Sequence, residues 1–188
     1  YAGEAPALSV VAINTSATVT GALPITGAYH TTNATLTVGS LTLNSSTAFA
    51  SNASSTKELG TTAYRYTGIR LTAGSSEDLR LRTIRFNQVG SVSSTDLANV
   101  MVYVGGTTYP ATVSADGKYY TANFGSGLVI PKGNQVEVYI QGDIVGSNAS
   151  ARTVQFHVDR SSDVYATGEV YGYGAPVSGG STGTPYFY

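Results

Sequence analysis

The sequence predicts an all-β fold, an antiparallel β-sandwich with extended, uncharged N- and C-terminal segments. Three observations carry this. Val, Ile, Thr and Tyr dominate the apolar and semi-polar positions, and these residues fit a pleated surface. Helix formers are scarce: there is one Met, few Leu and 22 Gly. Short alternating runs recur with turn residues roughly every 8–12 positions, the spacing of a sandwich. A chain of 188 residues is long enough to bury one sizeable core.

Taken in order, residues 5–56 predict short strands at Ala7–Ile13, Ala17–Thr20 and Leu36–Leu43. Gly, Pro and Asn turns join them, and the Ser/Ala/Asn-rich stretch Asn44–Thr56 reads as a loop or linker. Tyr64–Ala73 predicts a strand ending at Gly74. In Leu79–Phe86, Leu79 and Leu81 share one parity while Ile84 and Phe86 share the other. All four face inward only if an extra residue near Arg82–Thr83 forms a β-bulge, with Arg80, Arg82 and Arg85 outward or at the bulge. Ser94–Asn99 predicts one capped helical turn. Gly105-Gly106 between Asn99–Val104 and Thr107–Val113 predicts a two-residue hairpin. Asp116-Gly117 predicts a second hairpin, into Tyr119–Phe124. The Ile130–Asn134 turn feeds Gln135–Gly142, where Val136, Val138 and Ile140 alternate with polar residues. Arg152–Val158 alternates likewise, with Val154, Phe156 and Val158 inward and Gln155, His157 and Asp159 outward. The Gly-rich stretch from Val164 reads as extended, with no place of its own in the core.

Charge is confined to the middle of the chain. Glu4 is the sole formal charge from Tyr1 to Thr56, and Glu169 the sole one from Val164 to Tyr188. This divides the chain into an uncharged N-terminal strand segment (1–56), a sandwich body (57–165) and a Gly/Tyr-rich C-terminal extension (166–188). The uncharged ends need a partner surface or sugar to cover them. A charged fraction of 11% and a net charge of −1 give no general pull toward nucleic acid. No stretch of 18 apolar residues exists, so no membrane insertion is expected. Without Cys there is neither a disulfide framework nor a thiolate metal site, which suits a prokaryotic surface protein with a large core. A start at Tyr, with no basic or apolar leader, reads as a processed N-terminus outside the cell.

The run Tyr66-Thr-Gly-Ile-Arg-Leu-Thr-Ala-Gly-Ser-Ser-Glu-Asp-Leu-Arg-Leu leads into Ser94-Thr-Asp-Leu-Ala-Asn-Val-Met-Val-Tyr. Leu128-Val-Ile-Pro-Lys-Gly and Val136-Glu-Val-Tyr-Ile-Gln-Gly-Asp-Ile follow. Over roughly residues 60–165 this resembles the Ig-like β-sandwich repeats of large prokaryotic cell-surface and S-layer-type proteins, notably of candidate-phyla bacteria. The resemblance implies an Ig-like sandwich with a structural role at the cell surface, and it offers no catalytic residues.

Catalytic, cofactor and metal assignments are all none. His30 and His157 lie on different segments and read as surface residues, with no nucleophile elbow or zinc spacing nearby. Glu77, Asp78, Glu137 and Asp143 read as solvated turn or outward positions. The acidic clusters Glu77-Asp78 and Asp159/Asp163 lack the alternating acidic loop of a calcium site. A pilin-type isopeptide needs a buried lysine, whereas Lys57, Lys118 and Lys132 fall in or beside turns. Five Asn-x-Ser/Thr sequons, at Asn14, Asn33, Asn44, Asn52 and Asn148, are glycosylation candidates. Fourteen Tyr without Trp favour either cross-strand pairing or an exposed packing and stacking face.

These observations lead to a structural subunit of an extracellular filament, pilus or S-layer-like assembly, a homopolymer joined by strand addition. The subunit-contact candidates are Leu8, Val10, Val11 and Ile13 at the N-terminus, and Tyr186, Phe187 and Tyr188 at the C-terminus. The alternative is an adhesin or carbohydrate-binding module whose partners are cell-surface glycans. A third expectation, an accessory domain of a secreted hydrolase, has no reaction to support it.

Overall fold

The computed structural model describes residues 4–32, 35–48, 55–146 and 150–179. The chain divides into two compact units, Tyr1–Thr37 and Val38–Tyr188. In the first, β1 (Ser9–Val10) pairs antiparallel with β2 (Ile25–Thr26), Ser9 opposite Thr26 and Val10 opposite Ile25. Backbone bonds extend this ribbon: Gly27 N–H donates to the Leu8 carbonyl (2.9 Å), His30 to Pro6 (3.1 Å) and Thr32 to Glu4 (2.8 Å). The expected strand Ala7–Ile13 thus shortens to two residues. The expected strand Ala17–Thr20 is not formed; Ala17 N–H instead donates to Thr15 Oγ1 (3.1 Å), a local bond that competes with a ladder.

The second unit is all-β. Its strands are β3 (Leu41–Ser45), β4 (Tyr64–Ala73), β5 (Leu79–Gly90), β6 (Leu97–Val104), β7 (Thr107–Val113), β8 (Tyr119–Ile130), β9 (Gln135–Ile144), β10 (Val154–His157), β11 (Val164–Gly168) and β12 (Val177–Ser178). They form one curled sheet in the order β12-β3-β4-β9-β6-β7-β8-β5-β10, and β11 also pairs with β5. All ladders are antiparallel except β3–β12, so the sheet is mixed rather than purely antiparallel as expected. The curl turns within β7, where residues up to Pro110 pair with β6 and residues from Ala111 pair with β8. Proline, which has no N–H to give to a ladder, sits where the strand changes partner.

The curl folds the sheet on itself around a single core. Leu41, Leu43, Ile69, Leu71, Val102, Val104, Val138 and Ile140 from one half meet Leu79, Leu81, Ile84, Phe86, Ala122 and Phe156 from the other. Across the seam, Thr67 Oγ1 donates to the Phe156 carbonyl (2.6 Å), and the Tyr66 ring lies 5.1 Å from that of Phe156. The result is the sandwich-like class the sequence predicts.

The bulge in β5 falls where parity requires it. The β5–β8 register shifts between Leu81 and Thr83, and Leu79, Leu81, Ile84 and Phe86 are all fully buried. Gly105 (φ 55°) and Gly106 (φ 90°) make the hairpin turn between β6 and β7, a backbone only glycine adopts without cost at both positions. The helical turn is a 3₁₀ turn at Ser94–Asp96, with a capping box between Ser93 and Asp96.

The body also extends beyond residues 57–165. Leu41–Ser45, placed by composition in the N-terminal segment and its linker, is a core strand. It starts later than expected: Gly39 N–H, ahead of it, donates to Glu77 Oε1 (2.8 Å) and not to a neighbouring strand. At the other end, β11 puts Val164, Ala166 and Gly168 inward, and β12 edges β3. Small inward residues gave this strand no apolar signal.

Candidate functional site

Two positions expected at the surface are instead buried polar centres. His157 is 7% exposed, and its Nε2 lies 2.7 Å from Asp159 Oδ1. Asn87 Nδ2 donates to both Asp159 oxygens (3.0 Å each), and Tyr119 OH donates to Oδ2 (3.1 Å). Period-two alternation had correctly put these residues on the face opposite Phe156. It could not show that the chain after β10 would fold over that face. Burial pushes the Asp159 carboxyl up, but the bonds from Asn87 and Tyr119 and the adjacent imidazole hold it below the ordinary carboxylate range. Among the described residues no hydroxyl is hydrogen-bonded to His157. Next to it, Arg85 Nε donates to Asp163 Oδ1 (2.9 Å), and its guanidinium lies 4.7 Å over the Tyr119 ring. β5 is paired by β10 at Asn87–Gly90 and by β11 at Leu79–Ile84. The polar group bolts the 158–163 connection across the gap between them.

Glu77 is the second centre. It is 2% exposed, not solvated. Its Oε1 accepts from Gly39 N–H (2.8 Å), and Oε2 from Val170 (2.9 Å) and Tyr171 (3.2 Å). Burial pushes its pKa up, but these three backbone donors outweigh that and set it below the ordinary value. One carboxylate thus ties together the approach to β3, the start of β5 and the turn after β11. Asp78 is half-buried and accepts from Lys132 N–H (2.8 Å). Among the described residues no group of three or more His, Cys, Asp or Glu is placed to hold a metal ion.

The aromatic residues sort into two sets. Tyr103 and Tyr139 stack across β6 and β9 with centroids 4.4 Å apart, and the Arg65 guanidinium lies 4.2 Å over Tyr139. Tyr64, Tyr66, Tyr109 and Tyr120 pack against one another, Phe124 or Phe156. Their faces are occupied by the protein itself. Tyr165, Tyr171 and Tyr173, around the β11 turn, remain exposed.

The N-terminal contact candidates are all exposed: Leu8 at 91%, Val11 at 73%, Val10 and Ile13 near half. Val19, Leu23, Ile25 and Tyr29 share this condition. Tyr186, Phe187 and Tyr188 lie outside the described residues, as do the sequons at Asn33, Asn52 and Asn148. Asn14 is exposed, whereas Asn44 is half-buried within β3, opposite Arg70. His30 is exposed on the ribbon, and Lys57, Lys118 and Lys132 are exposed as well.

No helix among the described residues is long and apolar enough to cross a membrane. Compared with known proteins, the chain matches no family model, no curated protein and no solved structure. Fold and surface chemistry are therefore what a functional reading rests on, and they define an all-β, sandwich-like protein with an apolar N-terminal ribbon.

Proposed function

We propose that this chain is a structural subunit of an extracellular filament, pilus or S-layer-like array, polymerising by strand addition through its N-terminal ribbon. One observation carries the reading. The first unit holds its ribbon with a ladder of two residue pairs while eight large apolar side chains stay exposed. A two-stranded ribbon with so little cover is marginal by itself. Pairing with an open edge of another copy satisfies its backbone and removes those side chains from water, at about 25 cal/mol per Å² of apolar surface. Repeated head-to-tail, that contact grows an open array.

The test is V10D/V11D in the full chain. Both side chains are exposed, so the melting of the second unit is expected to stay unchanged while assembly, seen by electron microscopy and light scattering, is abolished. Normal assembly by the variant, or no assembly by the wild type at any concentration, refutes the proposal.

A second reading is an adhesin or carbohydrate-binding module. The exposed rings of Tyr165, Tyr171 and Tyr173 support it.

A further inference from the structure

The outer face of β5 carries three arginines, and two of them have carboxylate partners. Arg80 donates to Glu169 through Nε (2.6 Å) and Nη2 (2.5 Å), and Arg85 holds Asp163. Arg82, the bulge residue between them, has none among the described residues. Its Nε donates to Thr167 Oγ1 (3.3 Å) and its Nη1 to the Ser126 carbonyl (2.9 Å). Nη2 makes no hydrogen bond there. Two neutral acceptors therefore fix the guanidinium in place. Arg80 shares the Ser126 carbonyl with it, and Glu169 feels both arginines, so among the described residues two guanidiniums face one carboxylate and one positive charge is left over. In a chain with so few charges, that is a preorganised anion contact.

Next to it stands an aromatic ring. Val164 and Ala166 face the core, so Tyr165 and Thr167 face outward, and Tyr165 is 49% exposed. Alternate residues of one strand lie about 6.6 Å apart. Arg82 is bonded to Thr167, the next outward residue along β11 from Tyr165. The register runs Tyr165–Thr83–Asn123 across β11, β5 and β8, placing a hydroxyl and an amide in the same outward row.

We propose that this face binds an acidic saccharide, a uronate-bearing glycan, with a pyranose ring on Tyr165 and its carboxylate on Arg82. An exposed ring takes the apolar face of a sugar, Thr83 and Asn123 meet its hydroxyls, and a guanidinium with a free edge takes a carboxylate. A neutral sugar leaves the charge unused, and the chain has no basic field for a nucleic acid. This inference rests on the second reading above and is independent of polymerisation.

The test titrates the full chain with galacturonic acid oligomers, galactose oligomers and short polyacrylate, by calorimetry at low and high salt. Saturable uronate binding is expected, weakened by salt. It falls by about tenfold or more in both Arg82→Gln and Tyr165→Ser. Tyr165→Ser removes none of the hydrogen bonds around Arg82, so it reports on the site even if Arg82→Gln disturbs the bulge. Polyacrylate binding as tight as uronate, and indifferent to Tyr165→Ser, overturns the proposal as mere charge attraction. Galactose binding that ignores Arg82→Gln overturns the acidic assignment but leaves the second reading standing. Absence of any saccharide binding sinks both. A shift of oligomeric state in Arg82→Gln without sugar binding overturns the proposal by making the face a contact between copies.

Discussion

Replacing Glu77 with Gln isolates a buried carboxylate held by backbone donors alone. Three backbone N–H groups at 2.8, 2.9 and 3.2 Å donate to the wild-type carboxylate. The amide keeps one acceptor oxygen and turns an N–H₂ toward at least one of these donors. Charge-assisted bonds of about 1.5–3 kcal/mol each are replaced by neutral ones of about 0.5–1.5 kcal/mol, and one buried N–H loses its partner. Relief from burying a charge offsets part of this. A net loss of about 2–4 kcal/mol follows, roughly 4–16 °C in Tm for a chain of this size. Calorimetric melting at neutral pH measures it. The sign with pH is fixed by linkage. A carboxyl whose folded pKa is depressed contributes fully above its unfolded value, and that contribution disappears as pH falls through the folded value. The gap between wild type and variant therefore narrows on acidification below the ordinary Glu range. Melting curves that coincide at pH 7, or a gap that stays constant down through acid, refute the clasp.

Two further outcomes follow from the same geometry. In Gly168→Ala the new Cβ would overlap the Glu77 carboxylate, with an expected cost of about 1–3 kcal/mol in chemical denaturation. Because both changes act on one contact, the double variant with Glu77→Ala loses less than the sum. Alkaline titration followed by tyrosinate absorbance is expected to show a late-ionising set. Burial raises Tyr66 and Tyr120, and bonding to the Asp159 carboxylate raises Tyr119. Since the unfolded phenols ionise first, stability falls as pH rises past about 10. Ionisation of all tyrosines together at the ordinary value contradicts the packing assigned to these rings.

Side-chain parity made much of the second unit legible. Leu79, Leu81, Ile84 and Phe86 can share a face only across a bulge, and the bulge is there. Gly105-Gly106 announced its hairpin because two consecutive positive-φ residues have few other uses. The β11 strand escaped notice because Val164, Ala166 and Gly168 bury little apolar surface. Gly168 is small because the Glu77 carboxylate, just before the β5 strand it pairs with, occupies the space beside it. His157 and Asp159 were placed on the right face and given the wrong environment, since alternation names a face but not what covers it.

The sequence by itself determined the all-β class, the turns, the bulge and the concentration of charge in the middle of the chain. Each of these is a property of neighbouring residues, settled by parity, backbone freedom or composition. Tertiary structure alone decided which charges are buried, how β7 passes between partners and which arginines of β5 are held by carboxylates. Glu77, Asp159 and Arg82 all look alike in the sequence, as polar residues at turn, outward or bulge positions. Donors and acceptors dozens of residues away make one a structural clasp, one a bolt and one a guanidinium held by neutral acceptors, and long-range pairing of that kind has no local signature.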